Sequence, residues 1–281
     1  MLVNLAEILE PAVEGGYGVA SFNVFGWEDA VAVLRAAEET GAPVILAASL
    51  DFTRVMPVKL IAPMLRHLAE TASVPVCTHL DHCYEVDAVR AAVDAGFSSV
   101  MFDGSQLPLD ENIAGTRLVR DHAHAAGCSV EAEVGSVPYA TGRDHIRSEA
   151  TRPEDAARLA TEAQPDALAV SVGNIHRLKA PGAIIDFERL AEIERVVPVP
   201  LVIHGTSGIH DADLAALARM RVAKFNIGTV LRQAFGAGLR DALASDPDLF
   251  DRTEIMRQAM PPVTAAATRM IRLLGWRSLA E

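Results

Sequence analysis

The sequence predicts a parallel (β/α)₈ barrel, the TIM fold, with additional C-terminal helices. Three observations carry this prediction: eight short and nearly all-apolar runs, amphipathic stretches alternating with them, and 281 residues without a linker, low-complexity tract or break in composition. Parallel strands covered on both faces read as continuous apolar runs and not as a two-residue alternation.

The strand candidates are Val19–Val24, Val44–Ala48, Val76–Leu80, Ser99–Phe102, Ser129–Val134, Ala167–Val172, Leu201–His204 and Ala223–Ile227. The helices between them have legible ends. Glu28–Glu39 is closed by Gly41, Val58–Ala72 opens after Met56-Pro57, Glu85–Ala95 is closed by Gly96, and Asp110–Ala126 by Gly127. Pro153–Ala163 has Pro in its first turn, with Thr151 as its candidate cap. Repeated strand-then-helix units require right-handed crossovers and a parallel sheet, and eight of them close into a barrel of about 250 residues. An open doubly wound sheet is the competing architecture. No G-x-G-x-x-G follows the first strand, so its dinucleotide-binding form lacks the usual support.

The reading is therefore one barrel domain over residues 1–281, in which 230–281 form C-terminal helices. These are Val230–Ala244 and Thr253–Leu274, separated by Ser-Asp-Pro-Asp at 245–248, and they either cap the barrel or make a subunit contact.

Composition excludes several classes of function. No apolar run approaches the roughly 18 to 20 residues of a membrane span, and the start, MLVNLAEILEPAVEGG, reads as an amphipathic helix and not as a signal peptide. The expectation is a cytoplasmic protein that does not engage membranes. Cys77, Cys83 and Cys128 lack CxxC spacing and read as small buried hydrophobes. With 37 acidic against 25 basic residues the net charge is −12, which opposes nucleic acid and anionic lipid. Any anionic substrate must then be held by local devices.

Barrel enzymes keep their chemistry at the carboxyl ends of the strands. Read in order, those ends carry Asn23, Ser49, Asp81 with His82, Asp103, Glu133, Asn174 with His176, His204, and Asn226 with Thr229. A lone histidine at a strand end is more often a hydrogen-bonded structural residue than a ligand. Three from the third, sixth and seventh strands converge on one rim, and three imidazoles with an open fourth position make a catalytic zinc site. The other six, His67, His79, His122, His124, His145 and His210, read as structural. The runs His204-Gly-Thr-Ser-Gly208 and Asn226-Ile-Gly-Thr229 follow the last two strands and lead into helices, so their backbone N–H groups suit an anion. Either alone would pass as a tight turn; together they match the recurring phosphate site of this fold.

The motifs Ala20-Ser-Phe-Asn23, His79-Leu-Asp-His82, Gly96-Phe-Ser-Ser-Val-Met-Phe-Asp-Gly-Ser105, Glu111-Asn112, Val130-Glu-Ala-Glu-Val-Gly135, Asp166-Ala-Leu-Ala169, His204-Gly-x-Ser-Gly208 and Lys224-x-Asn226 are shared with a known family. From about Leu5 to Arg240 the chain resembles the class II, metal-dependent fructose-bisphosphate and tagatose-bisphosphate aldolases. The resemblance implies that His82, His176 and His204 bind one zinc ion per subunit, with a monovalent cation as a further candidate. It implies that Asp81 is the acid/base at the C4 hydroxyl, although a carboxylate that only orients a ligating histidine is the alternative. Gly205, Ser207, Asn226 and Thr229 correspond to the phosphate cradle, Asn23 and Ser49 to the substrate pocket, and Asp103 and Glu133 to carboxylates near the metal, in its outer shell or at an alternative metal position.

The implied reaction is cleavage of a ketose (bis)phosphate, such as fructose 1,6-bisphosphate or a related ketose 1-phosphate, to dihydroxyacetone phosphate and an aldehyde. A homo-oligomer, dimer or tetramer, is expected. A metal-dependent sugar-phosphate isomerase or epimerase is the alternative, because it needs the same enediolate.

Two departures from the family pattern bear on the chemistry. Arg177 stands where the family has Gly after the sixth-strand histidine, and it reads either as a contact for the substrate's anionic group or as a salt bridge to a rim carboxylate. The loop Gly135-Ser-Val-Pro-Tyr-Ala-Thr-Gly-Arg-Asp144 lacks the family's proton-transferring Glu, leaving Tyr139, Asp144, Glu133 or water for that step. Tyr139 and Arg143 read as specificity residues on a lid or as an ordinary exposed loop. Gly228 replaces the acid of the Asn-x-Asp-Thr variant, as in the tagatose-type branch.

Overall fold

The computed structural model describes residues 1–143 and 145–277; Asp144, a candidate proton donor from sequence, lies outside the described residues. In chain order the elements are β1 (Leu2–Val3), α1 (Leu5–Gly15), β2 (Val19–Asn23), α2 (Trp27–Thr40), β3 (Val44–Ser49), α3 (Leu50–Thr53), α4 (Val58–Thr71), β4 (Val76–Cys83), α5 (Val86–Ala95), β5 (Ser99–Phe102), α6 (Leu109–Ala125) and β6 (Ser129–Val134). They continue with α7 (Pro153–Ala163), β7 (Ala167–Val170), α8 (Phe187–Val196), β8 (Leu201–Ile203), a 3₁₀ turn at Thr206–Gly208, α9 (Asp211–Leu217), β9 (Val222–Ile227), α10 (Thr229–Ser245) and α11 (Arg252–Leu273).

Strands β2 to β9 pair in parallel in sequence order, and β9 returns to β2 to close the barrel. These are the eight predicted strands. The two residues of β1 pair with the start of β4, Leu2 opposite Val76, below the point where β5 begins its pairing at His79.

The barrel interior is graded along its axis. At the amino end, Leu5, Ile8, Leu9 and Ala12 of α1 recur at helical spacing and pack on Val19, Ile45, Cys77, Met101 and Val202, plugging that mouth. Asn4 holds the helix in a capping box, accepting from the Glu7 N–H at 3.0 Å while Glu7 accepts from the Asn4 N–H at 2.8 Å. Above this plug the interior turns polar, with His79, Glu131 and Lys224 fully buried. The carboxyl end carries the residues singled out from sequence. A second, larger apolar cluster fills the space between the strands' outer faces and the helices.

One sequence expectation is corrected and two helix assignments are refined. The helix expected at Val230–Ala244 as an addition follows β9 directly and is α10, the eighth helix of the alternation. Of the two C-terminal helices, α11 lies outside the alternation; it packs on α10 and α2, with the Thr264 hydroxyl donating to the Ala32 carbonyl at 3.1 Å. Thr151 does not cap α7. Its hydroxyl donates to the Val134 carbonyl at 2.6 Å and accepts from the Ser171 N–H at 2.8 Å, tying β6 to the segment after β7. Helix α8 went unassigned because half of its ten residues are charged, which blurs its apolar stripe. The three cysteines are free and buried, and no described helix is long and apolar enough to cross a membrane.

Candidate active site

The carboxyl ends of the strands open into one cleft. Asn23, Ser49, Asp81, His82, His176, Arg177, His204, Gly205, Ser207, Asn226 and Thr229, all singled out from sequence, line it. Asp103 and Glu133 do not; they stand behind His82.

His82, His176 and His204 are brought together, with ring centroids 4.5 to 5.6 Å apart and one nitrogen of each within 4.8 Å of the others. Strand β4 delivers His82 through an irregularity between Leu80 and Cys83, where His82 takes φ 52°. That left-handed backbone turns the ring toward the cleft directly after the Asp81 carboxylate. His82 Nδ1 lies 2.8 Å from Asp103 Oδ2 and 3.8 Å from Glu133 Oε2, and its buried Nε2 has no hydrogen-bond partner among the described residues. The buried Nε2 of His176 is likewise unpartnered. His204 gives Nε2 to Glu131 Oε1 at 2.9 Å, and its Nδ1, on the cleft side, lies 3.2 Å from the Asn226 amide Nδ2.

An unpaired polar atom in a buried site costs free energy, so convergent orphaned imidazole nitrogens fit a divalent ion. His82, Asp103 and Glu133 form a second group with metal-ligand spacing. Burial and the neighbouring His82 hold His176 and His204 well below the usual histidine range, so both are neutral and ready to donate a lone pair. Burial, followed by the Asp103 charge, raises Glu133 well above the carboxylate range.

Asp81 is buried, which pushes its carboxyl upward, yet the neighbouring His82, the Lys224 charge and the Asn23 amide more than offset this and hold it below the usual carboxylate range. Asn23 Nδ2 donates to Oδ2 at 2.9 Å and Asn226 Nδ2 to Oδ1 at 2.8 Å. Both carboxylate oxygens are thus fixed, each with a lone pair to spare. Beside them the buried Asn23 Oδ1 and Ser49 Oγ have no hydrogen-bond partner among the described residues.

Across the cleft, α10 begins at Gly228, which offers no side-chain cap, so the first N–H groups of a 17-residue helix face the cleft. Facing them, Gly205 takes φ 67° ahead of the 3₁₀ turn, where a side chain would strike the Ile175 carbonyl. Thr206 bonds the Asn226 carbonyl at 2.7 Å, locking the two loops together.

A family model described as fructose-bisphosphate aldolase class-II matches residues 3–278. The chain belongs to the class II fructose-bisphosphate aldolase family. Among solved structures it is similar to the YdjI aldolase from Escherichia coli K12, with 32% identity and a TM-score of 0.85 over 100% of both chains. It also shares the fold of fructose-bisphosphate aldolase from Campylobacter jejuni, with 24% identity and a TM-score of 0.83 over 97% of this chain and 95% of that one. The protein is a ketose-phosphate aldolase, a carbon–carbon lyase, and the isomerase or epimerase alternative falls away.

The departures from the family pattern in this class II aldolase have structural answers. Arg177 takes φ 61°, the left-handed backbone that explains the family's Gly there. Its guanidinium donates to Asp51 Oδ2 at 2.6 Å, and Arg143 reaches the other Asp51 oxygen at 3.5 Å. The loop after β6 is docked on the rim: Tyr139 forms a bridge with His176, its ring stacks on that imidazole at 4.3 Å, and Arg143 donates to Tyr84 Oη at 3.0 Å.

Sequence reasoning named Glu131 and Lys224 only as parts of motifs and left Asp51 and Arg232 without a role. The signal for the first two was present, because each lies two residues before a rim residue, Glu133 and Asn226, on the same inward face of its strand. Asp51 and Arg232 line the cleft from α3 and α10, and only the fold brings them there.

Proposed function

We propose that this aldolase holds one zinc ion through His82, His176 and His204, and cleaves a ketose 1-phosphate between C3 and C4 with Asp81 as the base. The observation that carries the reading is the pairing of orphaned imidazole nitrogens with a buried, doubly hydrogen-bonded carboxylate next to one of them. Bound there, a divalent ion supplies Lewis acidity for the negative charge left on the former carbonyl oxygen.

The chain's own residues supply the rest. Asp81 accepts the C4 hydroxyl proton as the bond breaks, and the fixed amides of Asn23 and Asn226 keep its lone pairs aimed. The α10 amino terminus with Gly205, Ser207, Asn226 and Thr229 cradles the phosphate, and Asn23 Oδ1 and Ser49 Oγ receive sugar hydroxyls. Asp103 orients His82 through Nδ1, with Glu133 beside it.

For protonation of the carbon released by cleavage we assign Tyr139, whose ring lies against His176 and whose phenol is kept protonated by burial. Arg177 meets the anionic end of the substrate by releasing Asp51. Fructose 1,6-bisphosphate and a ketose 1-phosphate with another acidic tail are the two candidate substrates, and dihydroxyacetone phosphate is a product of either. We place the enzyme in the cytoplasm, which three free, buried cysteines support, and without a nucleic-acid or membrane partner, which the net charge of −12 supports; a homo-oligomer, dimer or tetramer, and a monovalent cation as a further candidate cofactor belong to the same proposal. The test is metal content measured together with a coupled assay of ketose phosphates for aldehyde release. Metal-free protein with full activity overturns the reading.

A further inference from the structure

Beneath the cleft, Glu131 and Lys224 form an ion pair at 2.8 Å with neither side chain exposed. Apolar residues of similar volume would hold a barrel at least as well, because desolvating two charges offsets their attraction. The pair therefore calls for another reason, and its contacts supply one.

Each partner fixes an ambiguity in a residue of the site. Glu131 is an acceptor, so His204 must donate from Nε2 at 2.9 Å and keep its lone pair on Nδ1, on the cleft side, where the Asn226 amide Nδ2 lies 3.2 Å away. Lys224 is only a donor, so Asn226 must turn Oδ1 toward it, at 2.6 Å, and present Nδ2 to Asp81 Oδ1 at 2.8 Å. With the two charges exchanged or removed, the imidazole could take either tautomer and the amide either orientation. His79, bonded through Nδ1 to Ser99 Oγ at 2.8 Å, closes the remaining side, its Nε2 at 3.7 Å from Glu131 Oε2.

We infer that the buried Glu131–Lys224 pair is a positioning element that sets the tautomer of His204 and the amide orientation of Asn226. One pair thereby keeps a metal ligand and the Asp81 base in register. This rests on the roles proposed above for His204 and Asp81.

The test uses Glu131→Gln, Lys224→Met and the double variant in the full-length enzyme, loaded with zinc or cobalt. Readouts are the visible spectrum of the cobalt form, metal retention against a chelator, kcat and KM separately, and Tm. Glu131→Gln is expected to alter the cobalt spectrum and weaken metal retention about 10- to 100-fold, the usual effect of removing a partner behind a ligating histidine. Lys224→Met is expected to bind metal fully and lose about 10-fold or more in kcat, with a smaller change in KM.

If both single variants keep the parent's spectrum, metal retention and kcat and lose only Tm, the pair is a folding element and the inference is overturned. Should either single variant fail to fold, the double variant, which strands no charge, is judged by the same criteria. The spectrum of Glu131→Gln reports on His204 whatever Asp81 does, so failure of the Asp81 assignment, read from Asp81→Asn, is distinguishable from failure of this one.

Discussion

Asp81 and Asn226 lie 145 residues apart and meet at 2.8 Å, amide nitrogen to carboxylate oxygen, at the mouth of the barrel. Asn23 holds the opposite oxygen at 2.9 Å, so the carboxylate arrives at the reaction already oriented. In its proposed role as base, a carboxylate held in this way needs no reorganisation when a substrate hydroxyl approaches it.

Asp81→Asn should reduce retro-aldol kcat by about 10²-fold or more, the loss expected for a removed general base, while zinc content stays at one per chain. Steady-state kinetics with metal analysis checks this. A variant that loses metal and rate together would reassign Asp81 to orienting His82.

Chelation should abolish cleavage, and zinc or cobalt should restore it, because buried nitrogens of His82 and His176 converge without a hydrogen-bond partner among the described residues. Alanine at either position should lower metal retention at least as much as activity. Borohydride with substrate should trap no imine on the chain.

Tyr139→Phe should slow exchange of the dihydroxyacetone phosphate C1 proton with solvent by about 10-fold or more, and slow bond cleavage less. Stacking on His176 should survive, since the ring remains. Equal exchange rates in the two proteins would return the role to Glu133, Asp144 or water.

Arg177→Gly should cost about 10- to 100-fold in kcat/KM for substrates with an anionic tail, the range of a charge-assisted hydrogen bond, and little for neutral-tailed ones. Because Arg177 sits at φ 61°, the Gly variant should be no less stable than the parent. Equal losses for both substrate classes would make the Asp51 salt bridge its whole function.

Thr151→Val should destabilise the fold by about 1–3 kcal/mol, since it strands the Val134 carbonyl and the Ser171 N–H in a buried position. Chemical denaturation measures it, and an unchanged midpoint would mean that water replaces the hydroxyl.

The barrel was legible in the sequence because each strand is covered on both faces, and an apolar run such as Ala167–Val170 announces that condition locally. The rim was legible for the converse reason. Polar residues directly after such runs, as at Asp81 and His204, are unexpected unless they serve a site. Family motifs then added roles that spacing alone does not contain. Boundaries were less legible where tertiary contacts override propensity: β4 runs on through Cys83, and Thr151 serves β6 and the segment after β7 in place of α7.

By itself, then, the sequence determined the (β/α)₈ order, the apolar face of α1 and the set of residues at the strand ends, since each follows from periodicity or from neighbours in the chain. Only the tertiary structure decided which nitrogen of His82 and of His204 is held by a carboxylate, that Asp51 takes the charge of Arg177, and that Glu131 and Lys224 sit together beneath the cleft. Those facts depend on contacts across the barrel between strands far apart in the chain, and a one-dimensional pattern carries no record of which inward-facing charges will meet.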